Sequence, residues 1–480
     1  GILTSERLVE LYLRRIEAYD QEGPRLNTVI TLNPRALERA RELDAERRNS
    51  GPRSLLHGIP LMVKDLFDTH DMPTSAGFLP MAKSQPWRDA FVVDRLRKAG
   101  AIILAKVNQE DWFGKVAWGA STRAGQVQNP YKPGYIPGGS SSGTGVSVAA
   151  YFAAAGLGTE TGVSIRNPSS ENNLFGLAPS QGLVSRAGVL SIAITQDRAG
   201  PMARSVFDLA TVLSIIAGFD PEDLFTEASI GQLPSKGYTS FVDPDGLRGA
   251  RIGVLRDLFS TRTQEAEGLA LIEAAIADIS EQKAIVIDPI TTGLDLFALI
   301  SATSVPSFEK KISTDLYFDR IGPDSIFRTL GEIVEEHPDL IAPILVERNQ
   351  VGSLTRNPEY AAHQKNRKVV REMMINLMDQ HELDALIYPF KTLPANKLGE
   401  GWTFRTASNP LSAMTGLPAL VAPAGFTQAG LPIALEFLGR PFSEPTLIRL
   451  ASGYERATHH RRTPPTTPPL PGEVIPYPTR

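Results

Sequence analysis

The chain has 480 residues, 42% apolar and 21% charged, a composition that supplies a large packed core and excludes global disorder. Lys and Arg number 49 against 53 Asp and Glu, a formal net charge of -4 that leaves no basic excess for a phosphate backbone, so nucleic-acid binding is not expected. Cysteine is absent, which rules out disulfide frameworks, thiolate-held zinc and a Cys-His nucleophile. A length prior alone divides such a chain into roughly three domains. No apolar run reaches the roughly 20 residues that cross a bilayer. The chain opens at Gly1 instead of Met, which leaves room for a removed leader, and the cytoplasm is the favoured compartment.

In chain order, Ser5 stands before Leu8, Leu11, Tyr12 and Ile16, the spacing of one helical face with a serine as its cap. Asn33 and Pro34 repeat the pattern as cap and first-turn proline ahead of Ala36, Leu37, Ala40 and Leu43. After a loop over 49–57, residues 58–65 (GIPLMVKD) form a short apolar run ending in Lys64 and Asp65. Residues 91–100 read as a helix closed by glycine and 101–107 as a buried strand, an alternation that points to an α/β core. Residues 129–145 (NPYKPGYIPGGSSSGTG) are too rich in Gly, Pro and Ser for regular structure, and the small residues of 146–158 that follow predict a tightly packed helix. From 218 to 380 the pattern is generic, apart from a strand over 250–255 and several amphipathic helices. Buried strands are expected at 384–390 and 419–423, and a last helix at 443–457. Seven prolines among residues 463–480 predict an extended tail.

The stretch GTETGVSIRN, residues 158–167, places glycines and small hydroxyl residues around Ser164. Gly162 admits close approach of a ligand, and consecutive amides ahead of a serine form an anion nest of the kind that serves as an oxyanion hole. Histidine occurs at 57, 70, 337, 363, 381, 459 and 460, never in a glycine-rich setting, so a Ser-His-Asp triad is not suggested and His57 and His70 are assigned ordinary loop roles. Lys64, at the end of an apolar run, is the candidate base. Lowering a lysine from about 10.4 to about 7.5 costs roughly 4 kcal/mol, which burial supplies. Ser140, which follows Gly138 and Gly139, is the candidate proton relay.

Taken together, Lys64 in GIPLMVKD, the loop PGGSSSGTG, GTETGVSIRNPSS, FGLAPSQGLVSRAG and QDRAGPM resemble the amidase signature family, and NPLSAMTGLPALVAPAG (409–425) and GLPIALEFLGRP (430–441) resemble its closing strands. The resemblance implies an α/β fold, a large twisted mixed β-sheet covered by helices on both faces, as a single domain over 1–462 with a Pro-rich tail over 463–480, in place of three domains. It assigns Lys64 as base, Ser140 as bridge with the Gly139–Ser140 peptide cis, and Ser164 as nucleophile. The backbone amides of Thr161, Gly162, Val163 and Ser164 then form the oxyanion hole, and Ser141, Arg166 and Asp197 are supporting groups. The implied activity is hydrolysis of a linear amide through a seryl acyl-enzyme, with no metal or cofactor. The expected partner is a small amide or carbamate, and the chain is expected to be a monomer or homodimer.

Val163 stands where the family commonly has a second glycine, and its β-branch is expected to narrow the space beside the nucleophile. Glu160 replaces a common aspartate, Asn172 and Asn173 a frequent aromatic-cysteine pair, and Ala178 a frequent basic residue. For Arg166 and Asp197 a plain structural ion pair is an equal alternative, and for Trp112, Phe113 and Trp118 core packing is favoured over the lining of a substrate channel. Two further readings compete. One takes Gly139 to Gly143 as a G-x-S-x-G elbow with Ser141 the nucleophile of an α/β-hydrolase-like esterase, although a proline-rich loop stands where that motif needs a strand. The other makes the chain an amidotransferase A-type subunit that works with a partner.

Overall fold

The computed structural model describes residues 3–400 and 409–473. Among them the strands are β1 (Val29–Leu32), β2 (Pro60–Lys64), β3 (Ile102–Val107), β4 (Ala120–Ser121), β5 (Gly125–Gln126), β6 (Ala155–Glu160) and β7 (Phe175–Ala178). They continue with β8 (Arg198–Ala203), β9 (Arg251–Leu255), β10 (Ile285–Ile290), β11 (Ala385–Pro389), β12 (Ala419–Phe426) and β13 (Pro432–Leu438). β4 and β5 form a small hairpin, and the rest join one mixed sheet in the order β1-β3-β2-β6-β8-β7-β12-β13-β11-β9-β10. The strand carrying Lys64 lies between β3 and β6 and runs parallel to both, with Lys64 opposite Val107 and Val63 opposite Leu157.

Side-chain alternation shows why both faces are covered. On β2 and β3, Leu61, Val63 and Ile103 join the main core, while Met62, Ile102 and Leu104 join a second core on the opposite face under the helices Ser5–Ile16 and Ala36–Ser50. On β11, Ala385 and Ile387 belong to the main core, and Leu386 and Tyr388 to a third, closed by Val370, Met374 and Met378 of the helix Pro358–Gln380. Each such fully buried aliphatic side chain contributes about 1.5–3 kcal/mol, and the two-sided burial explains why these strands read as continuous apolar runs.

Several local expectations change. The first helix is capped by Thr4, whose hydroxyl accepts from the Arg7 N–H, with Ser5 its first residue. The second helix starts at Ala36 and runs on to Ser50, into the expected loop; Asn33 precedes it by accepting from the Arg35 N–H through Oδ1 and from the Ala36 N–H through its carbonyl. The predicted helix over 146–158 is two elements. The helix Ser142–Ala149 begins earlier, and the chain turns through 150–154 and enters β6. Small residues serve both: Gly143 lies against Asn108, and Gly156 and Gly158 of β6 let that strand press on Thr144 and Ser141. Of the expected tail, residues 463–473 carry no helix or strand and lie along the first helix, where Arg15 donates to the Thr467 and Pro468 carbonyls and pairs with Glu473; residues 474–480 lie outside the described residues.

Candidate active site

β2 delivers Lys64 into the interior, where it is fully buried. Its Nζ donates to Ser140 Oγ at 2.7 Å and to Thr159 Oγ1 at 2.8 Å, and it stands 5.0 Å from the centre of the Trp112 ring. Among the described residues no carboxylate pairs with it directly. Burial therefore governs its protonation and pulls the amine down to about 7, against weaker support for the ammonium from Glu110, Asp197 and Glu160.

Ser140 follows a cis Gly139–Ser140 peptide, as expected. Gly138 has φ +77°, and a side chain there would run into the backbone of Asn167 and Pro168. The Gly139 N–H donates to Asn167 Oδ1 at 2.8 Å, so this loop is seated against the first turn of the helix Arg166–Glu171, which follows Ser164. Ser141 is fully buried, and its Oγ donates to the Thr159 carbonyl at 3.2 Å and accepts from the Thr159 N–H at 3.3 Å. That double tie makes Ser141 a clamp between the serine loop and β6. A bend, not a strand, precedes it, and among the described residues no histidine bonds to it, so the elbow geometry is not present.

Ser164 is half-buried in the turn between β6 and the helix. Among the described residues the N–H groups of Gly162, Val163 and Ser164 meet no acceptor, whereas those of Ile165 and Arg166 both donate to Glu160 Oε2 at 3.1 Å. Around the site where a Gly162 side chain would stand there is open space to 4 Å. Thr161 is held through its carbonyl by Gln196 Nε2 at 2.6 Å. Val163 does not have a positive φ, and its side chain is buried in a small core with Phe390, Val421 and Ala434.

Beneath this turn lies a buried charge network. Arg166 pairs with Glu160 at 2.9 Å and Glu436 at 2.7 Å, and donates to the Gly162 carbonyl at 2.9 Å and the Asn409 carbonyl at 3.0 Å. Arg198 also pairs with Glu160, at 2.8 Å, and Tyr388 donates to Glu436 at 2.6 Å. The two carboxylates hold the Arg166 pKa above its ordinary value despite complete burial. Arg166 and Asp197 do not pair with each other. Asp197 braces the neighbouring loop by accepting from the N–H groups of Ile192 (2.6 Å) and Ala193 (3.2 Å), and burial raises its pKa.

Of the aromatics, Trp112 and Phe113 belong to the main core, with Phe113 5.4 Å from Phe78, while half-buried Trp118 lies beside Gly139. His57 and His70 have the expected loop roles, the first at 2.8 Å from the Leu43 carbonyl and the second paired with Asp89.

Sequence reasoning missed Thr159, Glu110, Lys310 and Glu436. Glu436 had a signal, a lone acid in the apolar strand PIALEFL, since a charge in a fully buried strand requires a partner. Lys310 had none. Its helix, Pro306–Ile321, falls in the generic middle region, yet its amine is buried 4.5 Å from the Phe113 ring and 5.0 Å from the Trp112 ring with no hydrogen-bond partner among the described residues.

A family model described as Amidase matches residues 7–448. The chain belongs to the Amidase family. A probable amidase of Arabidopsis thaliana is 34% identical over 96% of this chain and 88% of its own length. The A-type subunit of the glutamyl-tRNA(Gln) amidotransferase of Chloroflexus aggregans is also 34% identical, over 96% of this chain and 95% of that protein. Among solved structures, the native peptide amidase of Stenotrophomonas maltophilia is 38% identical with a TM-score of 0.85, covering 96% of this chain and 95% of that one. A peptide amidase complex with the competitive inhibitor chymostatin gives 38% and 0.88, with 96% of each chain covered. The protein is an amidase, built on the mixed sheet expected for the family. No helix among its described residues is long and apolar enough to cross a membrane.

Proposed function

We propose that this amidase cleaves a linear carbon–nitrogen bond through an acyl-enzyme on Ser164, with Lys64 as base and Ser140 as the proton bridge, in a single catalytic domain over 1–462. The observation that carries the reading is a buried amine, with no carboxylate partner among the described residues, 2.7 Å from the Ser140 hydroxyl and 2.8 Å from that of Thr159, which leads into the turn where the N–H groups of Gly162, Val163 and Ser164 meet no acceptor among those residues. With Lys64 neutral, the contact reverses: Ser140 Oγ–H donates to the Nζ lone pair, and Ser140 in turn accepts the Ser164 proton as Ser164 Oγ attacks the carbonyl carbon. The oxyanion is received by the amides of Thr161, Gly162, Val163 and Ser164, where one donor is worth roughly 3–4 kcal/mol of barrier. Ser140 then protonates the departing nitrogen, the C–N bond breaks, and water enters by the reverse relay to release the acid. No step calls for a metal or organic cofactor. Substrates are small aryl or alkyl amides, with carbamates presenting a carbonyl of the same shape to the same site.

A fluorophosphonate that traps acyl-accepting serines tests the assignment. It should label Ser164 in the native protein and fail to label a Ser164→Ala variant, and labelling of Ser141 or another serine overturns the triad. A panel of p-nitroanilides, primary amides and carbamates then ranks the substrate classes. The similarity to an amidotransferase component supports a second reading, a subunit that passes ammonia to a partner. Hydrolysis by the purified chain, monomeric or homodimeric on size exclusion, decides against it.

A further inference from the structure

Glu110 is the acid next to the bridging serine that the mechanism does not use. Its backbone N–H donates to the Ser140 carbonyl at 3.0 Å, which fixes the start of its side chain against the serine loop. A methyl carbon on Gly139 would lie 3.3 Å from Glu110 Oε2 and 3.2 Å from Trp118 Cε2, so carboxylate and indole stand together at the peptide that precedes Ser140. Both side chains are half-buried, in contrast to the closed surroundings of Lys64. Among the described residues the Glu110 carboxylate makes no hydrogen bond or ion pair. Its charge is felt by Lys64, and burial pushes its own pKa up to about 7, so it is ionised in mildly alkaline solution.

An unpaired, half-buried carboxylate is a receptor for an ammonium or guanidinium group, by charge. Its place next to Ser140 sets the side of the substrate it meets, because Ser140 is the group that protonates the departing nitrogen. We propose that Glu110 determines specificity on the leaving side and selects amides whose departing amine carries a second, positively charged nitrogen. The inference rests on the relay assigned above to Ser140. No residue that Lys64 or Ser164 needs for the bond-breaking step is added by it; Glu110 touches the leaving portion of the substrate beyond the scissile nitrogen.

The test uses two substrates with one acyl group, the N-(2-aminoethyl)amide and the uncharged N-propylamide of hexanoic acid. It is run at pH 8.5, where Lys64 is neutral and Glu110 ionised. The native enzyme should favour the cationic substrate by about tenfold in kcat/KM, expressed in KM, the equivalent of about 1.4 kcal/mol. Glu110→Gln should bring the ratio of the two substrates close to one, and Glu110→Asp should keep part of it. If Glu110 only tunes Lys64, the Gln variant changes both substrates by the same factor, and that result overturns the proposal, as does a native enzyme without preference. Fluorophosphonate labelling of Ser164 in the native and Gln proteins separates the two levels. Failure to label Ser164 in the native protein sinks the triad itself, whereas equal labelling with no loss of selectivity sinks only the role of Glu110.

Discussion

Lys64 and Arg166 are both cations withdrawn from water, and the protein gives them opposite fates. Around Lys64 the close neighbours are two hydroxyls and an indole, so desolvation prevails and the amine moves to about 7. Around Arg166 stand Glu160 and Glu436, and the guanidinium is held charged more firmly than in water. Burial alone does not decide protonation; the partner does. The first arrangement yields a proton acceptor, the second a rigid bed for the turn that carries Ser164.

The largest consequence concerns the first cluster. Lys64→Met should lower kcat by about a thousand- to ten-thousand-fold while the fold survives, because an apolar chain replaces an amine that had no ionic partner. Steady-state kinetics beside circular dichroism checks both halves. At the second cluster the order inverts, with stability struck first. Arg166→Met leaves the buried Glu436 carboxylate without its cation and takes one of two cations from Glu160, which keeps Arg198, and should cost about 3–5 kcal/mol in denaturant unfolding, with loss of activity as the turn over 160–166 loosens.

Lys310 offers a third arrangement, a buried amine with no hydrogen-bond partner among the described residues, whose pKa burial drives well below its ordinary value. Lys310→Met should be neutral or stabilising by about 1–2 kcal/mol. In the native chain the unfolded lysine binds a proton that the folded one lacks, so native stability rises with pH between the folded and unfolded values, and the variant's advantage should shrink towards pH of about 10. The smallest effect is a displacement of the rate profile. For the native enzyme kcat/KM should climb with pH and level off above about 7 as Lys64 loses its proton. Glu110→Gln removes the anion that most supports the ammonium, so the rising limb should move to lower pH.

How much of this was legible in the sequence follows the same division. Lys64, Ser140 and Ser164 lie in short motifs with fixed local neighbours, and a lysine ending an apolar strand announces its own desolvation. Of the two carboxylates that hold Arg166, Glu160 is six positions away in the same motif but Glu436 is 270 positions away, and no local pattern encodes that second pairing. Val163 shows a second limit. A β-branched residue in place of glycine suggested crowding beside the nucleophile, but which way its side chain turns depends on Phe390, Val421 and Ala434, all supplied by distant strands. The break between the helix Ser142–Ala149 and β6 was hidden because glycine and alanine fill both elements, and neither periodicity nor propensity separates them.

The helix Pro306–Ile321 reaches the turn that carries Ser164 at second hand. Glu309 accepts from the Thr195 N–H and Ser313 from the Ile194 N–H, and Gln196 of the same loop grips Thr161. For anyone diversifying this enzyme by random libraries, that linkage divides the helix into two kinds of position. Outward sites such as Ile312 and Leu316 accept wide replacement, while Glu309 and Ser313 are anchors whose loss would be misread in a screen as a change of taste for substrate.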